Sequence, residues 1–116
     1  MPSLDAAMDA ARLAHLVRIY RDGLLDDSVP FWLRHGADAE HGGILTCLDR
    51  DGALLDSDKG LWQQGRFAWM LGRLWHDVER RPAWLDAASH TLHFIEAHGF
   101  DTDGRMFFHV TRDGRP

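Results

Sequence analysis

The sequence predicts an all-α fold that carries short β-hairpins and is built from repeats of a helix pair followed by a hairpin. Apolar residues recur at helical spacing over three long segments. Asp-Gly and Gly-Gly turns separate those segments. The first hairpin recurs near the end of the chain, displaced by 62 positions (42 to 104, equally 52 to 114). Repeats of two helices cannot bury their apolar faces alone; they stack into solenoids or close into toroids.

The elements follow in chain order. Leu13, Leu16, Val17, Tyr20 and Leu24 line one side of a helix, with Arg12, Arg18, Arg21 and Asp22 on the other. This pattern predicts an amphipathic helix over residues 4–27, continuing through Phe31-Trp32-Leu33 with a kink at Pro30 and ending at His35-Gly36. Ile44 to Leu48 and Ala53 to Leu55 flank Asp49-Arg50-Asp51-Gly52 and read as a hairpin, with Cys47 as a buried structural thiol. Ser57 or Asp58 is placed to cap a second helix running to about residue 80, where Arg81-Pro82 stops it. Its core face is Leu61, Ala68, Leu71, Trp75 and Val78, and the interior Gly65 and Gly72 predict a close neighbour. A third helix starts at Pro82, carries Trp84, Leu85, Ala88, Leu92 and Ile95, and ends at His98-Gly99. Met106 to Val110 and Arg112-Asp113-Gly114 then repeat the first hairpin, so the 116 residues hold fewer than two units and read as the front of something longer.

Composition narrows the function. With 13 Lys+Arg against 18 Asp+Glu, the net charge is −5, and no basic cluster offers a surface to nucleic acid or an anionic membrane. One cysteine excludes an internal disulfide framework and a Cys-based zinc site. Residues 1–14 carry Asp5 and Asp9 and resemble neither a secretory leader nor a transit peptide, and no stretch approaches the roughly 20 apolar residues of a membrane span. A cytoplasmic setting is the default expectation. Five Trp and six Phe make the chain rich in aromatic rings, and sugars, neutral metabolites and proteins all stay open as partners.

The densest chemistry lies between Asp58 and Met70. On a helix Trp62, Arg66, Trp69 and Met70 share one side, placing a guanidinium between two indoles, with Lys59 one turn earlier. Arginine offers a rigid fork of donors and stacks on aromatic faces, so it holds a polyol or a developing alkoxide. Spacing alone leaves open an Arg66 that lies along a Trp-rich surface or pairs with an acid such as Asp56. His90 and His93 form at most half a metal site, so no metal or cofactor is expected.

Phe31-Trp32, Glu40-His41-Gly42-Gly43, Cys47 to Gly52, Lys59, Trp62, Gln64-Gly65-Arg66 and Trp69-Met70 together resemble the N-terminal region of the N-acylglucosamine 2-epimerase family, also described as renin-binding protein. The wider superfamily includes cellobiose 2-epimerases and mannose-type aldose-ketose isomerases. The resemblance implies an (α/α)6 barrel in which residues 1–116 are the N-terminal part of a single domain; about six units of roughly 62 residues make a chain of about 370. It implies proton transfer at C2 of an open-chain N-acyl-glucosamine or N-acyl-mannosamine through an enediolate, with paired histidines from later helices that this chain lacks. Arg66 matches the substrate-binding arginine, a catalytic role through stabilisation of the oxygens near C1 and C2. Trp62 matches an aromatic pocket wall, and Lys59 and Gln64 match supporting substrate-site positions. His41 belongs to the hairpin motif, where a turn-stabilising role is expected. The isolated chain is expected to be inactive and weakly stable, and a homodimer of the full-length protein stays open. Three other readings remain: a mannose-type aldose-ketose isomerase or cellobiose 2-epimerase of the same superfamily; a glycoside hydrolase on the same toroid, drawing on Asp56, Asp58 and Asp101; and a non-catalytic helical-repeat module that binds a protein.

Overall fold

A computed structural model describes residues 9–116, and the chain divides after Arg34 into two compact units. The part of the first helix expected over residues 4–8 lies outside the described residues. In the first unit, α1 spans Ala10–Val17, and the Asp9 side chain caps it by accepting from the Arg12 N–H at 2.8 Å. The helical path then widens into π-type turns over Arg18–Asp22 and Leu24–Ser28 before α2, Val29–His35. The second of these turns runs up to Pro30, which has no N–H for the carbonyl four residues back and whose ring crowds it, so the turn opens. Leu25 and Val29 are buried, whereas Leu13, Val17 and Tyr20 of the expected apolar face are exposed.

The second unit runs from His35 to Pro116. Strands β1, Cys47–Leu48, and β2, Leu54–Asp56, form the expected antiparallel hairpin around Gly52. Cys47 is exposed, correcting its expected burial: it lies in a two-stranded ribbon with an irregular register between Cys47 and Leu48, and its partner strand β2 is exposed along its whole length. Strand β3, Lys59–Gly60, leads into α3, Leu61–Asp77, and α4 spans Pro82–His98 with Pro82 in its first turn. Strand β4, His109–Val110, pairs antiparallel with β3.

That pairing explains why neither Ser57 nor Asp58 caps α3. The cap is Gly60, and the first free N–H of the helix, on Leu61, donates to the Phe108 carbonyl at 3.1 Å. Helices α3 and α4 pack along each other around Leu61, Phe94, Ile95 and Val110, with Phe107 against this cluster. The buried side of α3 is Leu61, Gln64, Ala68, Leu71 and Leu74, so Val78 falls beyond the helix end and is exposed. On α4, Trp84, Ala88 and Ile95 point inward as expected, but Leu85 and Leu92 point out and Thr91 and Phe94 take their place. Among the described residues a Cβ at Gly65 or Gly72 would meet nothing within 4 Å, so none of them is the close neighbour expected there.

The repeat is real in three dimensions. Gly52 and Gly114 adopt φ of +93° and +89°, and each N–H closes its turn on the carbonyl three residues back, Asp49 and Thr111, at 2.9 Å. A Cβ at Gly52 would strike the ring of His35, and one at Gly114 the ring of His98. These histidines are the last residues of α2 and α4. Each copy of the repeated hairpin thus has the terminal histidine of the preceding helix under its left-handed glycine turn, a position that favours glycine.

Candidate functional site

Helix α3 carries two sets of residues. A rotation of 100° per residue places Trp62, Arg66 and Trp69 together, opposite Gln64, Ala68 and Leu71. The second set is buried in the helix pair, and the first is exposed, with Trp62 69% and Trp69 64% accessible. The Arg66 guanidinium lies 5.1 Å from the centre of the Trp62 ring. No carboxylate among the described residues pairs with it, and Asp56 instead accepts the Asp58 N–H at 2.7 Å. A planar cation beside an indole and without a carboxylate partner among the described residues has donors that can serve a ligand.

Lys59 and Gln64 stand apart from that exposed face. Lys59 is fully buried, and its ammonium donates to Asp38 Oδ2 at 2.7 Å, the Gly42 carbonyl at 2.7 Å and the Arg112 carbonyl at 2.8 Å. Its Nζ also lies 4.5 Å from the centre of the Phe94 ring. Three acceptors use all three N–H donors of an ammonium. Gln64, also fully buried, donates from Nε2 to the Ile44 carbonyl at 2.7 Å and accepts the Ile44 N–H on Oε1 at 2.8 Å. Its amide thus acts as a one-residue strand partner, tying the first turns of α3 to the segment that leads into β1.

Sequence reasoning missed the acid at the centre of this arrangement. Asp38 is 1% exposed and receives Lys59, then Arg112 through Nε at 3.0 Å and Nη2 at 3.2 Å, and the backbone N–H groups of Glu40 and His41 at 3.1 Å each. Burial alone raises a carboxyl pKa. Here the hydrogen bonds from Arg112 and Lys59, with the His41 N–H, outweigh it and hold Asp38 well below the usual carboxylate range. Burial draws the Lys59 ammonium below its ordinary value, against the opposing pull of Asp38. The only sequence signal for Asp38 was its place ahead of Gly42-Gly43. Arg112 was visible as the repeat mate of Arg50, which is exposed and makes no such contact.

The remaining histidines are dispersed. His90 Nε2 lies 3.2 Å from the Gly43 carbonyl and His76 Nδ1 2.7 Å from Asp77. Among the described residues, no three His, Cys, Asp or Glu side chains converge as they would around a metal ion. No helix among them is long and apolar enough to cross a membrane.

Helix pairs alternating with glycine-turn hairpins, with an arginine and tryptophans on the open face of one helix, define part of an (α/α) toroid. The chain is similar to cellobiose 2-epimerase from Spirochaeta thermophila, with a TM-score of 0.81 and 27% identity over 92% of this chain and 26% of that one. It is also similar to cellobiose 2-epimerase from Bacillus thermoamylovorans, with a TM-score of 0.78 and 26% identity over 89% of this chain and 26% of that one. The N-acylglucosamine 2-epimerases of Mus musculus and Homo sapiens are 44% and 43% identical over 96 residues, 79% of this chain. The N-acylglucosamine 2-epimerase (GlcNAc 2-epimerase) family model matches residues 42–116, and the chain belongs to that family. It spans 23% and 22% of the length of those two relatives.

Proposed function

We propose that the protein is a sugar epimerase that interconverts N-acyl-D-glucosamine and N-acyl-D-mannosamine, moving the C2 proton through an enediolate. Residues 1–116 then form the N-terminal part of a single (α/α)6-barrel domain and one wall of its pocket. The observation that carries this reading is Arg66, stacked on Trp62 and without an internal carboxylate among the described residues. As the C2 proton leaves, negative charge grows on the oxygens at C1 and C2. A fixed guanidinium there stabilises that charge without having to reorganise. The Trp62 ring offers an apolar face to the C–H edge of the sugar and limits water around the cation.

Lys59 and Gln64 act one step back as positioning residues. Their donors and acceptors are spent on Asp38, Gly42, Ile44 and Arg112, which fixes the start of α3 and hence the direction of Arg66. The acid and base that exchange the proton are the paired histidines implied by the family resemblance, contributed from outside these residues. The amino-sugar assignment is favoured over cellobiose because identity to the N-acylglucosamine enzymes is 44%, against 27% for the cellobiose enzyme. The proposed setting is the cytoplasm, where the exposed Cys47 thiol stays reduced.

The test is Arg66→Ala in the full-length protein with N-acetyl-D-mannosamine as substrate. Loss of a donor that meets developing charge predicts a fall in kcat of about 100- to 1000-fold. An unchanged kcat/KM would remove Arg66 from the site. Turnover of cellobiose or mannose in place of the amino sugar would move the protein to another branch of the superfamily.

A further inference from the structure

The internal repeat supplies a control for the turn that precedes each hairpin. Both turns open with an aspartate whose Oδ1 accepts two backbone N–H groups: Glu40 and His41 at 3.1 Å on Asp38, Asp103 and Arg105 at 2.9 Å on Asp101. Both close alike, with the Gly42 N–H on the Asp38 carbonyl at 2.9 Å and the Gly104 N–H on the Asp101 carbonyl at 3.1 Å. In the second turn no cation or remote side chain among the described residues reaches Asp101, and residues 102–106 are exposed. The turn therefore forms without anchors.

The first turn differs in two ways. It is one residue longer, with four steps from Asp38 to Gly42 against three from Asp101 to Gly104, and it reads Glu40-His41. It is also held from several elements at once: Lys59 on Asp38 and Gly42, Arg112 on Asp38, Gln64 on Ile44, and His90 on Gly43. Glu40 and His41 donate their backbone N–H groups to Asp38, so His41 helps to hold the turn through its main chain. The Glu40 side chain is 70% exposed, 3.7 Å from Arg112 Nη2, and His41 Nε2 stands 3.5 Å from Glu40 Oε1.

We propose that this anchored turn presents Glu40 and His41 as a binding pair for vicinal hydroxyls of a sugar, a contact additional to Arg66 and Trp62. The proposal rests on the sugar-epimerase reading above. A carboxylate accepts from two hydroxyls, and a neutral imidazole donates on one nitrogen and accepts on the other, which matches the alternating donors and acceptors of a polyol. Fixing the backbone beforehand removes much of the ordering cost of binding. An anchored, lengthened turn beside an unanchored repeat mate is what such pre-organisation requires.

The test uses the full-length protein with Glu40→Gln, His41→Ala, His41→Gln and, as a control in the second turn, Asp103→Asn. Tryptophan-fluorescence titration with N-acetyl-D-mannosamine measures binding without requiring turnover, and steady-state kinetics separate KM from kcat. Loss of one hydrogen bond to a charged or polar partner predicts Kd and KM raised about tenfold for Glu40→Gln and His41→Ala. The kcat and Tm should match those of the unsubstituted protein, with partial recovery in His41→Gln and no change in Asp103→Asn. Unchanged Kd in both Glu40→Gln and His41→Ala would overturn the proposal, as would a Kd rise that follows a fall in Tm and is not recovered by His41→Gln. Absence of turnover by the unsubstituted protein would instead count against the epimerase reading, while the titration still decides whether the pair binds the sugar.

Discussion

Replacing Lys59 by methionine tests the energetic centre of the fold, because the ammonium is the one group that joins Asp38, Gly42 and Arg112. Methionine fills much of the same volume but gives up the ammonium's position 4.5 Å from the centre of the Phe94 ring. The Asp38 carboxylate would keep Arg112 at 3.0 Å and the backbone N–H groups of Glu40 and His41, so its charge is not orphaned. Breaking a buried pair by removing one partner costs about 3–5 kcal/mol, and leaving a buried carbonyl unsatisfied costs about 1–3 kcal/mol. Against these stands relief from burying an ammonium, so the net destabilisation expected is about 3 kcal/mol. Asp38→Asn should cost as much, since it strips the carboxylate from both Lys59 and Arg112. The double substitution should cost less than the sum by at least about 1 kcal/mol, because its members share one interaction. Urea unfolding followed by tryptophan fluorescence and far-ultraviolet circular dichroism measures all of these. A Lys59→Met cost below about 1 kcal/mol, or strict additivity of the pair, would refute the reasoning.

Other consequences are open to measurement. Gln64→Leu removes both bonds to Ile44 and leaves a buried N–H and carbonyl unpaired, so urea unfolding should show a loss of about 2–4 kcal/mol. Gly52→Ala and Gly114→Ala force a Cβ into a left-handed turn and against His35 or His98. Each should lower stability by at least about 1 kcal/mol, and a neutral result at either in thermal unfolding would count against the paired turn geometry. The depressed Asp38 pKa gives a pH dependence of definite sign. The unfolded chain takes up a proton near the ordinary value of about 3.9 that the folded chain refuses, so the Asp38 contribution is present above that pH and is lost as pH falls toward the folded value. Asp38→Asn should therefore flatten the acid limb of a stability profile; an unaltered limb would contradict the assignment.

The elements with local signatures were legible in the sequence. Gly52 and Gly114, each following Asp in an Arg-Asp-Gly turn, announced the hairpin repeat because left-handed turns need glycine at that place. Helices α3 and α4 were legible from apolar periodicity and from Pro82, and the grouping of Trp62 with Arg66 followed from a spacing of one helical turn. Interactions that join distant parts were not legible. Asp38 meets Arg112 across 74 positions, and a strand of two residues, β3, has no periodicity to detect. A lysine is rarely buried unless paired, so the burial of Lys59 depended on knowing Asp38. The outward turn of Leu85 and Leu92 was hidden for a related reason: leucine placement follows which face meets α3, and periodicity alone offered two overlapping faces on α4.

The central claim is that Arg66 and its stacked Trp62 serve a sugar whose C2 proton is exchanged. The most direct measurement is nuclear magnetic resonance of N-acetyl-D-mannosamine incubated in deuterium oxide with the full-length protein, alongside the Arg66→Ala variant. The account predicts deuterium at C2 of both the manno and gluco forms, at a rate that collapses in the variant. Interconversion without deuterium at C2, or deuterium entering equally fast with Arg66 removed, would contradict it.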